Sequence, residues 1–221
     1  MPSSEREAQL EAERIEARRQ AAIARYRVAV APVIEDLRAV GFEVATVQDL
    51  RRLGVPYSQA IPVLLRWLPR VEYPPLKEDI VRTLSVPWAS PMALRPLLTE
   101  FERTPASEES GLRWAIGNAL EVIGDDSVFE ELAAIARNSA YGRSRQMVVV
   151  ALGRMRNPAA VQILIELLGD EQVAGHAVKA LRKLRAPAAR ERLVAMSNHP
   201  KTWIRNEVKK TLDAIEKEEP R

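Results

Sequence analysis

Two histidines, His176 and His199, are the only side chains in this chain whose ordinary pKa lies near neutrality. A catalytic site needs a nucleophile, a base or a metal brought to one place. His176 falls on the flank of a helical segment, and His199 lies in a loop before Pro200. Neither stands in a spacing that recruits a metal or activates a serine. With no cysteine present, disulfides, thiolate-held zinc and cysteine nucleophiles are excluded. Nine scattered glycines form neither GxGxxG nor GxxxxGK[ST], so no phosphate-cradling loop is expected. Neither catalytic residues nor a cofactor or metal is expected. What remains is binding chemistry, carried by tryptophans and by lysines and arginines.

The basic residues are unevenly placed. Residues 1–138 hold 17 Lys/Arg against 21 Asp/Glu, and residues 139–217 hold 15 against 7. A basic C-terminal half favours an acidic partner or nucleic acid. Hydrophobic residues make up 47% and charged residues 29% of the 221, the balance of a chain that folds. Aromatics are sparse, at 5%, while Ala, Leu, Arg and Glu abound, which favours helix over sheet. The opening "MPSSEREAQLEAERIEARRQ" lacks the apolar stretch of a secretory signal, and "MVVVALG" is far too short to span a bilayer. A cytoplasmic chain with no membrane partner is the expectation.

The elements that must position these side chains repeat. "ALGRMRNPAAVQIL" (Ala151 to Leu164) and "ALRKLRAPAARERL" (Ala180 to Leu193) keep one order of residues 29 positions apart. Anchoring on Leu84, Leu120, Leu152, Leu181 and Leu212 gives intervals of 36, 32, 29 and 31 residues. Four positions before each anchor stand the apolar Ile80, Ile116, Val148, Ala177 and Val208; just before it stand Thr83, Ala119, Ala151, Ala180 and Thr211. This is one buried stripe of a 3.6-period helix. A second row, Leu64, Leu97, Leu132, Leu164 and Leu193, keeps step and marks a preceding helix in each unit. Ser58, Ser90-Pro91, Asn157-Pro158, Pro187 and Pro200 read as helix starts; Gly54, Gly124 and Gly169 read as stops. Pro62 and Pro96, each two positions before an anchor leucine, imply a kink or a late start.

Paired helices of about thirty residues, with a basic residue seven before the anchor and Asn-Pro-Ala turns, resemble HEAT repeats. More narrowly they are similar to the short bacterial HEAT-like repeats also found in phycobilin lyases. The resemblance covers residues 55–217, with units at about 55–88, 89–124, 125–156, 157–185 and 186–217. It implies an all-α fold, an α-solenoid wound as a right-handed superhelix of about five hairpins. Residues 1–54 lie outside the pattern and are expected to form an N-terminal helical cap. There Pro32 should divide one helix into two, Gly41 should end the second, and a short capped helix should run from Thr46 to Leu53. Residues 218–221 form a tail.

In such a stack the second helices line the concave side. Positions −6, −2 and +1 from each anchor then face outward. The middle of that wall offers Trp114, Asn118, Gln146 and Val150, with Gly117 and Gly153 expected to open space beside them. The C-terminal end offers Lys179, Arg182, Lys183, Lys209 and Lys210, with Arg205 and Trp203 close by, and Arg82 lies in the first unit's column. The −7 column, Lys77, Arg113, Arg145 and Arg205, is the family's usual basic position, which bridges to a carboxylate or carbonyl of a neighbouring unit. The His-Glu pairs of di-iron hydroxylases built on this repeat are absent. DNA alkyl-base glycosylases of HEAT-like fold would find rough counterparts in Trp114, Trp203, Asp213, Arg205 and Lys210, but no motif of theirs matches residue by residue. The expectation is a non-enzymatic scaffold that binds a protein or peptide, preferably acidic. Trp114 would be its apolar anchor, Asn118 and Gln146 its polar partners, and Arg82, Lys179, Arg182 and Lys210 its electrostatic guides. A nucleic-acid binder is the alternative, and a lyase-type accessory protein the second.

Overall fold

The computed structural model describes residues 2–105 and 111–217, with side chains from residue 6 onward; the 218–221 tail lies outside the described residues. The described residues are helical with no strand, and they divide into two compact units, Met1–Thr83 and Leu84–Arg221.

The first unit is built on α1 (Pro2–Ala39), followed by a 3-10 turn at Val47–Arg52, α2 (Ile61–Trp67) and α3 (Pro74–Leu84). The N-terminal half of α1 is solvated, as its dense charge requires. Its C-terminal half buries Val30, Val33, Ile34 and Leu37. Asp36 ties this half to α2, accepting from Trp67 Nε1 at 2.7 Å and from Arg66 at 2.8 Å.

The expected division at Pro32 does not occur, and one helix runs through it. A proline removes the bond to the carbonyl four residues earlier and crowds it. Here that residue is Val28, which is 77% exposed, on the solvent side of the helix. Burial of Val33, Ile34 and Leu37 holds the next turn in place. The turn after Thr46 is 3-10 rather than α, with Asp49 Oδ2 accepting from the Thr46 backbone N–H at 2.8 Å.

The second unit comprises four helical hairpins: α4 (Leu94–Arg103) with α5 (Leu112–Ile123), α6 (Phe129–Arg137) with α7 (Gln146–Leu152), α8 (Ala159–Leu167) with α9 (Ala174–Leu184), and α10 (Arg190–Ala195) with α11 (Thr202–Glu216). The second helices pack in series, α5 on α7, α7 on α9 and α9 on α11, and so form one inner layer. Leu97, Leu132, Leu164 and Leu193 of one row and Leu120, Leu152 and Leu181 of the other are fully buried. Leu212 is only partly buried; Val208, Thr211 and Ile215 fill the interior of the last hairpin instead.

The interior prolines are late starts. Pro62 is the second residue of α2, and Pro96 is the third of α4, where the missing N–H has no helical partner to lose. Asn157 stands two residues before α8, its Oδ1 accepting from the Ala159 N–H at 3.0 Å. Ser90 is not the cap of α4, which begins three residues after Pro91. Adjacent hairpins are also stitched through their loops: the Asp126 carboxylate accepts from the backbone N–H of Arg156 at 2.9 Å and of Asn157 at 3.1 Å.

Candidate functional site

The arginines at the start of the inner helices serve the framework. Arg145 is fully buried; it donates to Ala136 O at 2.7 Å and meets the Asp170 carboxylate at 2.5 Å. Arg113 donates to the Phe101 and Thr104 carbonyls and stacks between the Phe101 and Tyr141 rings, 5.4 and 4.8 Å from their centroids. Arg205 donates to His199 O at 2.8 Å and Pro200 O at 3.1 Å. These guanidiniums mostly hold carbonyls of their own hairpin; Arg145 also reaches the next one through Asp170, and Arg113 through the Tyr141 ring. The buried environment of Asp170 works against its charge, but Arg145 and the Gln172 N–H outweigh it and hold the carboxyl below its ordinary 3.8.

On the inner layer Trp114 is 43% exposed, and Asn118 folds back to donate to its backbone oxygen at 2.8 Å. Gln146 Nε2 donates to Gln172 O at 2.7 Å, tying the start of α7 to the loop before α9. Val150, expected on the open face, is 1% exposed and belongs to the core. The glycines beside it do not open space either. A Cβ at Gly153 would lie 2.7 Å from both Cα and the carbonyl oxygen of Ala180, and one at Gly117 would lie 3.2 Å from Ser144 O. They are points of close helix approach, and that approach is what covers Val150.

Of the cations at the expected basic end, Arg182, Lys183 and Lys210 meet carboxylates. Glu207 takes Arg182 at 3.3 Å and Lys210 at 3.0 Å, and Glu121 takes Lys183 at 2.6 Å. The last pair joins α9 to α5 past α7. Packed helices stand about 8–10 Å apart, so in a flat layer α5 and α9 would be separated by twice that, beyond the reach of one lysine and one glutamate. The pair closes because α7 ends at Leu152 and Gly153 lets α9 come in against it. The C-terminal rim of this layer is therefore drawn inward.

Lys179 and Arg143 differ from these. Both are exposed, and neither meets a carboxylate among the described residues. Both face His176, whose pKa is lowered below the ordinary 6.5, chiefly by burial and then by these two cations. His176 also packs edge-on against Trp203, with ring centroids 5.6 Å apart and 64° between planes. Trp203 is itself 47% exposed. Among the described residues no group of three or more His, Asp and Glu is placed to hold a metal.

Arg82 belongs to the first unit, where it donates to Glu78 Oε1 and lines a cleft of about 510 Å³ with Ile23, Tyr26, Arg27 and Gln48. Asp79 in this cleft accepts from the Tyr26 hydroxyl at 2.5 Å and from Arg51 at 3.0 Å. Burial and the Asp79 carboxylate push the Tyr26 phenol far up. Sequence reading missed this cleft, because Tyr26 and Asp79 are 53 residues apart and no local pattern joins them.

Residues 94–174, from the start of α4 to the start of α9, match the family model described as HEAT repeats. This stretch is similar to HEAT repeats. HEAT repeats are generally scaffolds for protein interaction, and the fold is typically non-catalytic. Comparison with curated proteins finds none that matches. The HEAT match takes in Trp114, Asn118 and Gln146 together with the Arg113 and Arg145 framework; the hairpins of α9 and α11, which carry Lys179 and Trp203, extend the same inner layer beyond it. No helix among the described residues is long and apolar enough to cross a membrane.

Proposed function

We propose that this chain is a non-enzymatic scaffold whose inner layer, α5 to α11, docks an acidic segment of another protein. One observation carries the reading: an indole stands 43% exposed on a layer whose neighbouring apolar positions, Ala115, Ile116, Val148 and Val150, are all buried. Exposed aromatics that sit within well-packed polar surroundings are the residues that anchor interfaces. Asn118, pinned to the Trp114 backbone, and Gln146, pinned to Gln172, offer fixed polar contacts at little entropic cost. The charge that selects the partner is Lys179 with Arg143; Arg182 and Lys210 share Glu207, and Arg82 serves the cleft of the first unit.

The pairing of Lys183, Arg182 and Lys210 with glutamates breaks up the positive track that duplex DNA would need, which supports a protein partner over nucleic acid. Affinity purification from the native host, followed by titration of the recovered partner, tests the proposal. Trp114→Ala is expected to weaken that partner by about 2 kcal/mol, roughly thirty-fold. Unchanged affinity, or retention on duplex DNA that falls steeply with salt, would remove it.

A further inference from the structure

Gly175 occupies the inner-layer position that carries Trp114 on α5 and Gln146 on α7, six residues before the anchor leucine. It has no side chain to offer there, and the space is filled from the next hairpin. A Cβ added at Gly175 would overlap Cη2, Cζ3 and Cζ2 of Trp203, so the tip of the indole sits against α9 at Gly175. His176 braces the ring from the side. The row therefore reads indole, amide, indole: Trp114 on α5, Gln146 on α7, and the Trp203 ring over α9. Both indoles are close to half exposed. Away from the C-terminal rim that the Lys183–Glu121 pair draws in, two packing steps of about 8–10 Å set the axes of α5 and α9 about 16–20 Å apart. Facing His176, which braces the Trp203 ring, stand Lys179 and Arg143, and neither meets a carboxylate among the described residues.

We infer that this row is a two-indole clamp for an extended acidic segment whose two apolar side chains lie six residues apart. The inference rests on the docking role proposed for Trp114 and adds the second anchor and the spacing. An extended chain rises about 3.3 Å per residue, so six residues span about 20 Å. An even separation also puts both side chains on one face, as two anchors on one wall require. The charge of the segment follows from Lys179 and Arg143, both exposed and neither paired with a carboxylate among the described residues. A helical guest would need about twelve residues for the same span at 1.5 Å each.

The probe is a fluorescein-labelled peptide of about thirteen residues, two phenylalanines six apart with Asp and Glu between them, followed by anisotropy. Expected are tight binding by the wild type, a loss of about tenfold or more in Trp114→Ala and in Trp203→Ala, and a similar loss in Lys179→Glu. Gly175→Ala is the decisive variant. It keeps both indoles and adds a good helix former, yet unseats Trp203, so it should behave like Trp203→Ala while its thermal melt holds. Equal binding of a peptide with phenylalanines three apart, or full affinity in Gly175→Ala, overturns the clamp. Displacement of the peptide by duplex DNA at physiological salt also overturns it and assigns the basic centre to nucleic acid. Should the native partner depend on Trp114 but not on Trp203 or Gly175, the scaffold role stands and the clamp falls.

Discussion

Arg145→Met is expected to cost about 3 kcal/mol of the stability of the second unit, the low end for a buried ion pair broken from one side. Arg145 is fully buried while the Asp170 side chain is 28% exposed, so water softens what is left behind. The substitution strands Ala136 O and the carboxylate together, and methionine fills the volume without supplying a donor. Urea unfolding of the two proteins measures the difference. Adding Asp170→Asn to Arg145→Met should cost little more, because the pair is already broken; full additivity would show that the two residues do not act on each other.

The acid limb carries a second signature. Asp170's folded pKa is depressed, so its contribution is present above the ordinary value near 3.8 and is lost as pH falls through the lower folded value. That part of the acid dependence should be missing in Arg145→Met. The effect extends to the wall, since Asp170 also accepts from Gln172 N at 3.0 Å, and Gln172 O is the acceptor for Gln146.

Gly153→Val should be nearly as severe, at about 3 kcal/mol, and for a different reason. Gly153 has φ −70, a conformation open to any residue, so nothing is strained in its backbone. The cost is steric: the new Cβ would stand 2.7 Å from two backbone atoms of Ala180, and neither side can give way except by parting α7 from α9. Gly169→Ala is the control. Its nearest neighbour, Glu166 O, is 3.6 Å from the added Cβ, so its stability should change little. A tolerated valine at position 153 would mean that the inner helices are not in contact there.

The hairpins were legible because a leucine row and a small residue beside it are what a close-packed layer demands, and both recur in step. The wall was legible only in part. Reading positions −6, −2 and +1 treats each helix as if one side were free; α7 is short and hemmed by two close neighbours, so Val150 disappears into the contact. Gly117 and Gly153 looked like open space, yet one approaches Ser144 O and the other meets Ala180. Counting lysines and arginines found a basic end but could not show that Glu121 and Glu207 had already taken Arg182, Lys183 and Lys210. A proline in a helical pattern signals a break, yet α1 runs through Pro32, with exposed Val28 four residues before it and Val33, Ile34 and Leu37 buried after it.

Four tryptophans allow a direct test of where the partner sits. Trp67 donates its indole N–H to Asp36 in the first unit, whereas Trp114 and Trp203 stand on the inner layer of the second. Titrating the recovered partner into ¹⁵N-labelled protein and following the indole N–H signals should shift that of Trp114 while that of Trp67 holds still. A Trp114 signal that stays in place at saturation, with the movement confined to Trp67, would contradict the account.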